Sequence, residues 1–421
     1  FVGKDGLTEF IGYDDLIVSE SRAIKYRILK QKDQELFQLV LDRTPFYPEG
    51  GGQVGDTGFL MFEGEVIMVL DTKKENDLII HIIDRIPDNI DSPVYGEVNA
   101  IKRTLTENNH SATHLLHAAL RQVLGTHVQQ KGSLVKDDYL RFDVSHFQKM
   151  TDLELVQIEK IVNEKIRQNI SLEESRSLPI EEAKKSGAMM LFGEKYGDKV
   201  RMITFDPTYS RELCGGCHVK ATGQIGLFKI VSESGIAAGV RRIEAVTAYK
   251  AEEYVNKQIL ELTAIKSFFK NNINTPKNVA DLQEENRDLQ KEVEKLRAMQ
   301  AASMKDSLVS GAKNIAGVKV VVARLKDIDS KSAKTLSVNI LAEMGEAAVL
   351  FGLEDQGKAT VMLSIAEPLT KSKGWHAGNI IRELAKEING GGGGQAFFAT
   401  AGGTDVTGLD KALAKLNEFL K

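Results

Sequence analysis

Two stretches hold the residues best suited to chemistry: Asn109-His110-Ser111-Ala112-Thr113-His114-Leu115-Leu116-His117, and Glu212-Leu213-Cys214-Gly215-Gly216-Cys217-His218. On a helix, His110 and His114 are four residues apart, so both imidazoles leave one face, one turn apart, and can share a metal ion. The second stretch puts thiols and an imidazole on a glycine turn, which is the other half of a nitrogen/sulfur zinc site. A histidine pair at this spacing is more often a core or surface feature than a pair of ligands. Both cysteines of the chain, however, fall in a five-residue window that also contains a histidine, and this singles out zinc. The ligand pairs are roughly a hundred residues apart, against about 12–15 in a zinc finger, so the ion should tie together the walls of a pocket.

Spacing leaves two ligand sets open: Cys214 with Cys217, or Cys214 with His218 and Cys217 merely nearby. His110, His114, Cys214 and His218 together supply four protein ligands, the count of a closed structural site. A catalytic role then requires substrate to displace a ligand or expand the shell, or water to hold the fourth place.

The elements that must carry these residues read as an α+β multidomain protein. Residues 1–98 show short strands around Gln38–Leu41, Phe59–Phe62 and Val66–Leu70, separated by the turn-rich Tyr47-Pro48-Glu49-Gly50-Gly51-Gly52-Gln53, and suggest a small β-barrel or sandwich. Three consecutive glycines there let backbone approach a ligand closely, or simply turn a barrel corner. Residues 99–247 form the zinc-binding α+β core. A helix carries His110 and His114 and ends near Gly125; His117 lies about 10 Å along the axis from His110 and is read as packing or outer support. A second helix follows from Asp152 to Ile170, a short one from Glu181 to Gly187, a turn at 192–198 and strands at 200–205, 225–231 and 240–246. His127 and His146 are read as structural.

Residues 248–312 change character. Val255, Ile259, Leu262, Ile265 and Phe269 make one helical stripe, the segment 271–276 breaks it, and a second stripe runs in heptads with Val279, Asn286 and Val293 at a and Leu282, Leu289 and Leu296 at d. An antiparallel helical hairpin, or coiled coil, is expected, with pairing between chains as the alternative. Residues 313–421 read as an α/β domain with strands at 318–323, 347–352 and 359–365. The glycine run Gly390–Gly394 is not a P-loop, because no Gly-Lys-Ser/Thr follows; it is expected as an exposed loop able to lie against phosphate or sugar.

At 421 residues, a formal charge of -4 and a pI near 6.2, the chain has room for two to four domains and no global basic field, so nucleic acid must be met by local patches. Two cysteines, both in the metal motif, point to a reducing compartment. With no apolar run of membrane-spanning length and no signal peptide, a soluble cytoplasmic protein without a membrane partner is expected.

NHSATHLLHAALRQVLGTHVQQKGSLV (109–135), RFDVSH (141–146), ELCGGCH (212–218), TGQIGLFKI (222–230) and GVRRIEAVT (239–247), with TPFYPEGGGQVGDTG (44–58), closely resemble the editing domain of bacterial-type alanyl-tRNA synthetase. The resemblance runs on to GGGGGQAFFATAGGTDVTGLDKAL (390–413), and so covers essentially the whole chain. It implies a hydrolase that deacylates mischarged Ser-tRNA(Ala), and more weakly Gly-tRNA(Ala), with Zn2+ at His110, His114, Cys214 and His218. It also implies that Thr44 and Gln130 position substrate, Thr44 through a hydroxyl matched to that of serine. Arg241, Arg242, Lys371, Lys373 and Arg382, with Trp375 and His376, are the expected RNA contacts; tRNA(Ala) is the implied partner, and the C-terminal region the implied seat of a homodimer. The family commonly has threonine where this chain has Cys217, and a small polar replacement is the preferred reading. A start at Phe1 and the absence of anything like an amino-acid-activating domain are read as a synthetase fragment without aminoacylation. The alternatives are a free-standing alanyl-tRNA editing protein and a non-catalytic tRNA-binding fragment with structural zinc.

Overall fold

The computed structural model describes all residues except 5, 32, 33, 191–195, 272, 356 and 421, and it divides into two compact units, Phe1–Ala264 and Ile265–Lys421. The turn expected at 192–198 thus falls largely outside the described residues.

The first unit opens with ten strands: β1 (Val2–Gly3), β2 (Glu9–Phe10), β3 (Ile17–Ser21), β4 (Ala23–Gln31), β5 (Gln34–Leu41), β6 (Arg43–Thr44), β7 (Gly58–Phe62), β8 (Glu65–Glu75), β9 (Leu78–Ile83) and β10 (Val94–Val98). Eight of them form one antiparallel sheet in the order β1-β4-β5-β9-β8-β7-β10-β3, while β2 and β6 make a separate parallel pair. Strand alternation sends Leu60, Phe62, Ile67 and Val69 into a common core and leaves Val66, Met68 and Leu70 exposed. The barrel expected over 1–98 is not closed. Its end strands, β1 and β3, bond only to β4 and β10, because β1 has two residues and offers too little backbone to complete a ring.

Helix α1 (Ala100–Leu124) follows; the Asn99 side chain accepts from the Lys102 N–H at its start and Gly125, at φ +114°, ends it. Its apolar face, Ala112, Leu115, Leu116, Ala119 and Leu120, packs with Ile158, Val162 and Ile166 of α2 (Asp152–Arg167) in one buried core. That core also contains Phe142, Phe228 and Ile243 from a four-stranded sheet of β11 (Gln130–Val135), β12 (Leu140–Ser145), β17 (Val240–Thr247) and β16 (Phe228–Ala237). A three-stranded sheet, β13 (Glu173–Pro179), β14 (Lys199–Phe205) and β15 (Ser210–Leu213), joins α3 (Ile180–Lys185) and delivers the chain to the Cys214 turn. The glycine loop is fastened to β11: Val135 N–H donates to Gly52 O at 2.7 Å and Val54 N–H to Val135 O at 3.1 Å. Gly52 has φ +86°, and a Cβ there would lie 2.8 Å from Ser133 O, so the close approach requires glycine. The unit ends within helix α4 (Ala248–Ser267), whose Ile259 and Leu262 are exposed.

In the second unit, α5 (Thr275–Ser303) begins with Asn274 as cap and a proline in its first turn. Its heptad residues Leu282, Leu289, Val293 and Leu296 stay exposed. After α6 (Lys305–Ser310) comes a mixed six-stranded sheet, β18-β19-β20-β21-β23-β22, built from β18 (Lys313–Ile315), β19 (Val318–Lys326), β20 (Ala347–Asp355), β21 (Lys358–Ile365), β22 (Gly390–Gly394) and β23 (Phe398–Gly403). Only β19 and β20 run parallel, connected through α7 (Ser330–Met344). Val321, Val349 and Phe351 pack towards α7, and Val320, Leu350 and Val361 pack with α8 (Glu367–Ser372), α9 (Ala377–Leu384) and α10 (Leu409–Lys415), giving a helix–sheet–helix sandwich. The glycine run is therefore not a loop. It is an edge strand, β22, with Gly390 opposite Gly403 and Gly394 opposite Ala399, because backbone hydrogen bonds need no side chains.

Candidate active site

Helix α1 and the turn after β15 bring the two motifs together. His110, His114, Cys214 and His218 present donor atoms that all lie within 4.8 Å of one another. Cys214 Sγ is 3.4 Å from His110 Nε2 and 3.4 Å from His218 Nε2, close to the roughly 3.5 Å that tetrahedral zinc imposes between sulfur at 2.3 Å and nitrogen at 2.0–2.1 Å. The opposite ring nitrogens are held from outside: His110 Nδ1 is 2.8 Å from Gln53 Oε1, and His218 Nδ1 is 3.1 Å from Ser111 Oγ. Gln53 Oε1 also accepts from the Cys217 N–H at 2.8 Å, so the glycine loop binds both halves of the cluster. Gly216 closes the turn, and a Cβ there would lie 2.0 Å from His110 Cε1.

The electrostatics suit a cation. Burial opposes a thiolate at Cys214, but His110 and His218 outweigh it and hold the pKa well below the usual thiol range. Burial and then the neighbouring His110 push His218 well below the usual imidazole value, leaving it neutral, as a ligand must be. At His114 burial favours the neutral ring, yet Glu212 and Cys214 prevail and raise its pKa to about 9. His114 must therefore release a proton to become a ligand, and with the outer nitrogens of His110 and His218 fixed the imidazole and thiolate donor set fits zinc.

Cys217 stands outside this group of four donors. Burial pushes its thiol up to about 12, and the charges acting on it are those of Arg103, Asp56 and Glu107. Cys217→Thr is accordingly expected to leave zinc content, read by elemental analysis of the purified chain, at the parent value.

The turn itself is clamped. Arg201 donates to Cys214 O at 3.0 Å and Gly216 O at 2.6 Å, and its guanidinium lies 4.0 Å above the Tyr13 ring, whose hydroxyl donates to Gly215 O at 2.7 Å. Behind α1, Arg103 is 1% exposed and donates to Asp56, Gly12 O and Pro45 O. Burial, only partly offset by Arg103, raises Glu107 from an ordinary 4.5 to about 7. A raised carboxyl pKa means that the folded chain binds the proton more tightly, so stability declines as pH climbs from 4.5 towards 7. Glu107→Gln is expected to raise the thermal midpoint near pH 8 and leave it unchanged near pH 4, measured by calorimetry.

A cavity of about 20 Å³ opens against the cluster: His110, His114 and Cys214 line it, together with Thr113, His117, Gln130, Ser133, Gly51, Glu212 and Met189. Gln130 is among its lining residues. Thr44 does not line this cavity: it is fully buried, 2.8 Å from His81 Nε2, and its oxygen accepts from the Phe46 N–H. Thr113, Glu212 and His117 were not singled out as site residues; a buried histidine one turn beyond a ligand pair and a carboxylate two residues before Cys214 were the available signals.

Arg241 pairs with Glu233, and Arg242 grips both oxygens of Asp143 at 2.7 and 2.8 Å. In the second unit Lys371 and Arg382 are exposed, Arg382 donates to Asn379 Oδ1, and Lys373 donates to Ala316 O. Trp375 is only 4% exposed and belongs to the core, so its indole is not a surface contact. No helix of the described residues is long and apolar enough to cross a membrane.

Three family profiles match the chain: tRNA synthetases class II (A) over residues 3–98, the threonyl and alanyl tRNA synthetase second additional domain over 200–244, and the DHHA1 domain over 317–421. Together they define a chain of aminoacyl-tRNA synthetase type with an appended domain containing the Cys214 turn. Alanine–tRNA ligase from Cytophaga hutchinsonii is 51% identical over 420 residues, 100% of this chain and 48% of that protein; that of Christiangramia forsetii is 48% identical over 98% of this chain and 47% of that protein. The chain belongs to the alanyl-tRNA synthetase family. It spans about half the length of the curated relatives it matches. Among solved structures, the C-Ala domain of Aquifex aeolicus alanyl-tRNA synthetase is 20% identical, with 26% of this chain and 96% of that domain covered and a TM-score of 0.25.

Proposed function

We propose that this chain is an editing hydrolase that removes serine, and less efficiently glycine, from mischarged tRNA(Ala). The observation that carries the reading is the four-donor cluster beside a small cavity bordered by Gln130 and Thr113. The need follows from a selectivity limit: a pocket built for alanine cannot strongly reject a side chain that adds one hydroxyl, nor exclude glycine by size, so wrong esters are destroyed afterwards.

Zinc, held by His110, His114, Cys214 and His218, would supply positive charge to orient the ester end or polarise its carbonyl. Gln53 and Ser111 hold the histidines in the ring orientations that face Cys214. Gln130 offers both an amide donor and a carbonyl acceptor to the amino acid or the attacking water. We assign 1–98 and 99–247 to the editing part, 248–312 to a helical hairpin and 313–421 to a cytoplasmic tRNA-binding and dimerising domain, with Lys371, Lys373 and Arg382 as RNA contacts. Arg241 and Arg242, being paired with acids, would reach phosphate only by exchanging partners.

The test is deacylation of Ser-tRNA(Ala) against Ala-tRNA(Ala) by the purified zinc-loaded chain. Selective loss of the seryl ester is expected; inertness towards both by a folded, tRNA-binding chain would favour a second reading, a binding module with structural zinc. Four protein donors, the number that closes a structural site, is the feature that favours it.

A further inference from the structure

His117 is 2% exposed, and neither of its ring nitrogens has a hydrogen-bond partner, although the ring borders the cavity. A buried imidazole without partners is costly to desolvate, so one that persists invites a polar partner in the cavity. Its nearest polar neighbour is Glu212, whose Oε1 is 3.5 Å from His117 Nδ1 and whose Oε2 is 3.9 Å from His114 Nδ1. Phe142 lies against the ring, with centroids 5.3 Å apart, so the imidazole is wedged between an aromatic wall and the cavity. A volume of about 20 Å³ admits one water, which needs roughly 10–15 Å³ and two to four polar partners. His117, Glu212, Gln130 and Thr113, from α1, β15 and β11, are polar residues lining it, next to the metal donors His110, His114 and Cys214.

We infer that His117 and Glu212 form a dyad that holds the hydrolytic water and relays its proton, an inference that rests on the hydrolase reading above. Glu212 accepts from Nδ1–H and fixes the ring; Nε2 accepts from the water. As the water oxygen bonds to the ester carbonyl carbon, its proton passes to Nε2. The bond from that carbon to the ribose oxygen then breaks, and the same proton goes to the departing oxygen, giving free amino acid and an intact tRNA hydroxyl end. No oxidant or further reactant is required.

The zinc-loaded chain, with His117→Asn, His117→Ala and Glu212→Gln, is assayed on Ser-tRNA(Ala) for kcat and KM, alongside zinc content and circular dichroism. kcat is expected to fall about 100-fold or more, the range of general acid–base residues, with KM and zinc content unchanged. Free imidazole should restore His117→Ala, which leaves a ring-sized space, and should not restore Glu212→Gln. Ring-nitrogen NMR of the metal-free chain should show the Nδ1–H tautomer at His117. A His117→Asn chain that keeps the parent kcat overturns the dyad, as does loss of zinc or fold in both His117 variants, which would make the residue structural. A wild-type chain inert towards every ester overturns the hydrolase reading itself, and the dyad falls with it.

Discussion

Cys214→Ala abolishes zinc retention and, with it, deacylation of Ser-tRNA(Ala). The thiolate is the one donor that faces both His110 Nε2 and His218 Nε2 at 3.4 Å, and it is the only anionic ligand among the four. Without it three imidazoles remain in a buried site with no charge to offset the cation's. Outer-shell changes around metals typically cost about 10–100-fold in affinity or activity, so removing an anionic ligand should exceed that range. The check is elemental analysis with deacylation kinetics on the same preparation, and circular dichroism to show that the sheets persist. A variant that retains stoichiometric zinc would exclude Cys214 as a ligand; one that loses zinc yet deacylates normally would make the metal structural.

Arg103→Met costs about 3–5 kcal/mol of folding stability, the range for breaking a buried ion pair on one side. Arg103 is 1% exposed and Asp56 6%, and the guanidinium satisfies both carboxylate oxygens together with Gly12 O and Pro45 O. Methionine fills the volume but leaves the carboxylate, which also accepts from the Tyr47 N–H, without its cation. Urea unfolding should show a lowered midpoint, and adding Asp56→Asn to Arg103→Met should recover part of the loss. The pair joins the start of α1 to the segment following the glycine loop, so loosening it should also reduce zinc affinity. A variant with unaltered stability would show that the charge had been held by solvent.

Much of the site was legible because its signal is chemical and local. His110 and His114 are bound to share a helical face, and a Cys-x3-His turn on glycines can hardly do anything but converge. Strands such as those at 318–323 and 359–365 were legible as apolar runs. What could not be read depends on distant pairing. Whether eight strands close depends on the backbone length at β1 and β3, which no hydrophobic pattern reports. Glycines 390–394 carry no side-chain period, so their pairing with β23 left no trace. Trp375 was expected among the RNA contacts; the turn after α8 carries it inward. His117 and Glu212 meet only because β15 passes beside α1; they are 95 positions apart in the chain.

The separation of the donors also imposes an order on manufacture. His110 and Cys214 are 104 residues apart in the chain. At about 5–20 residues per second of synthesis, His110 is made roughly 5–20 seconds before Cys214. During that interval the nascent helix presents two imidazoles that can capture a metal only weakly. The cluster becomes complete at His218, before β16 and β17 of the same core are made, so metal capture can precede closure of the four-stranded sheet and fix the α1–β15 contact that the sheet then covers.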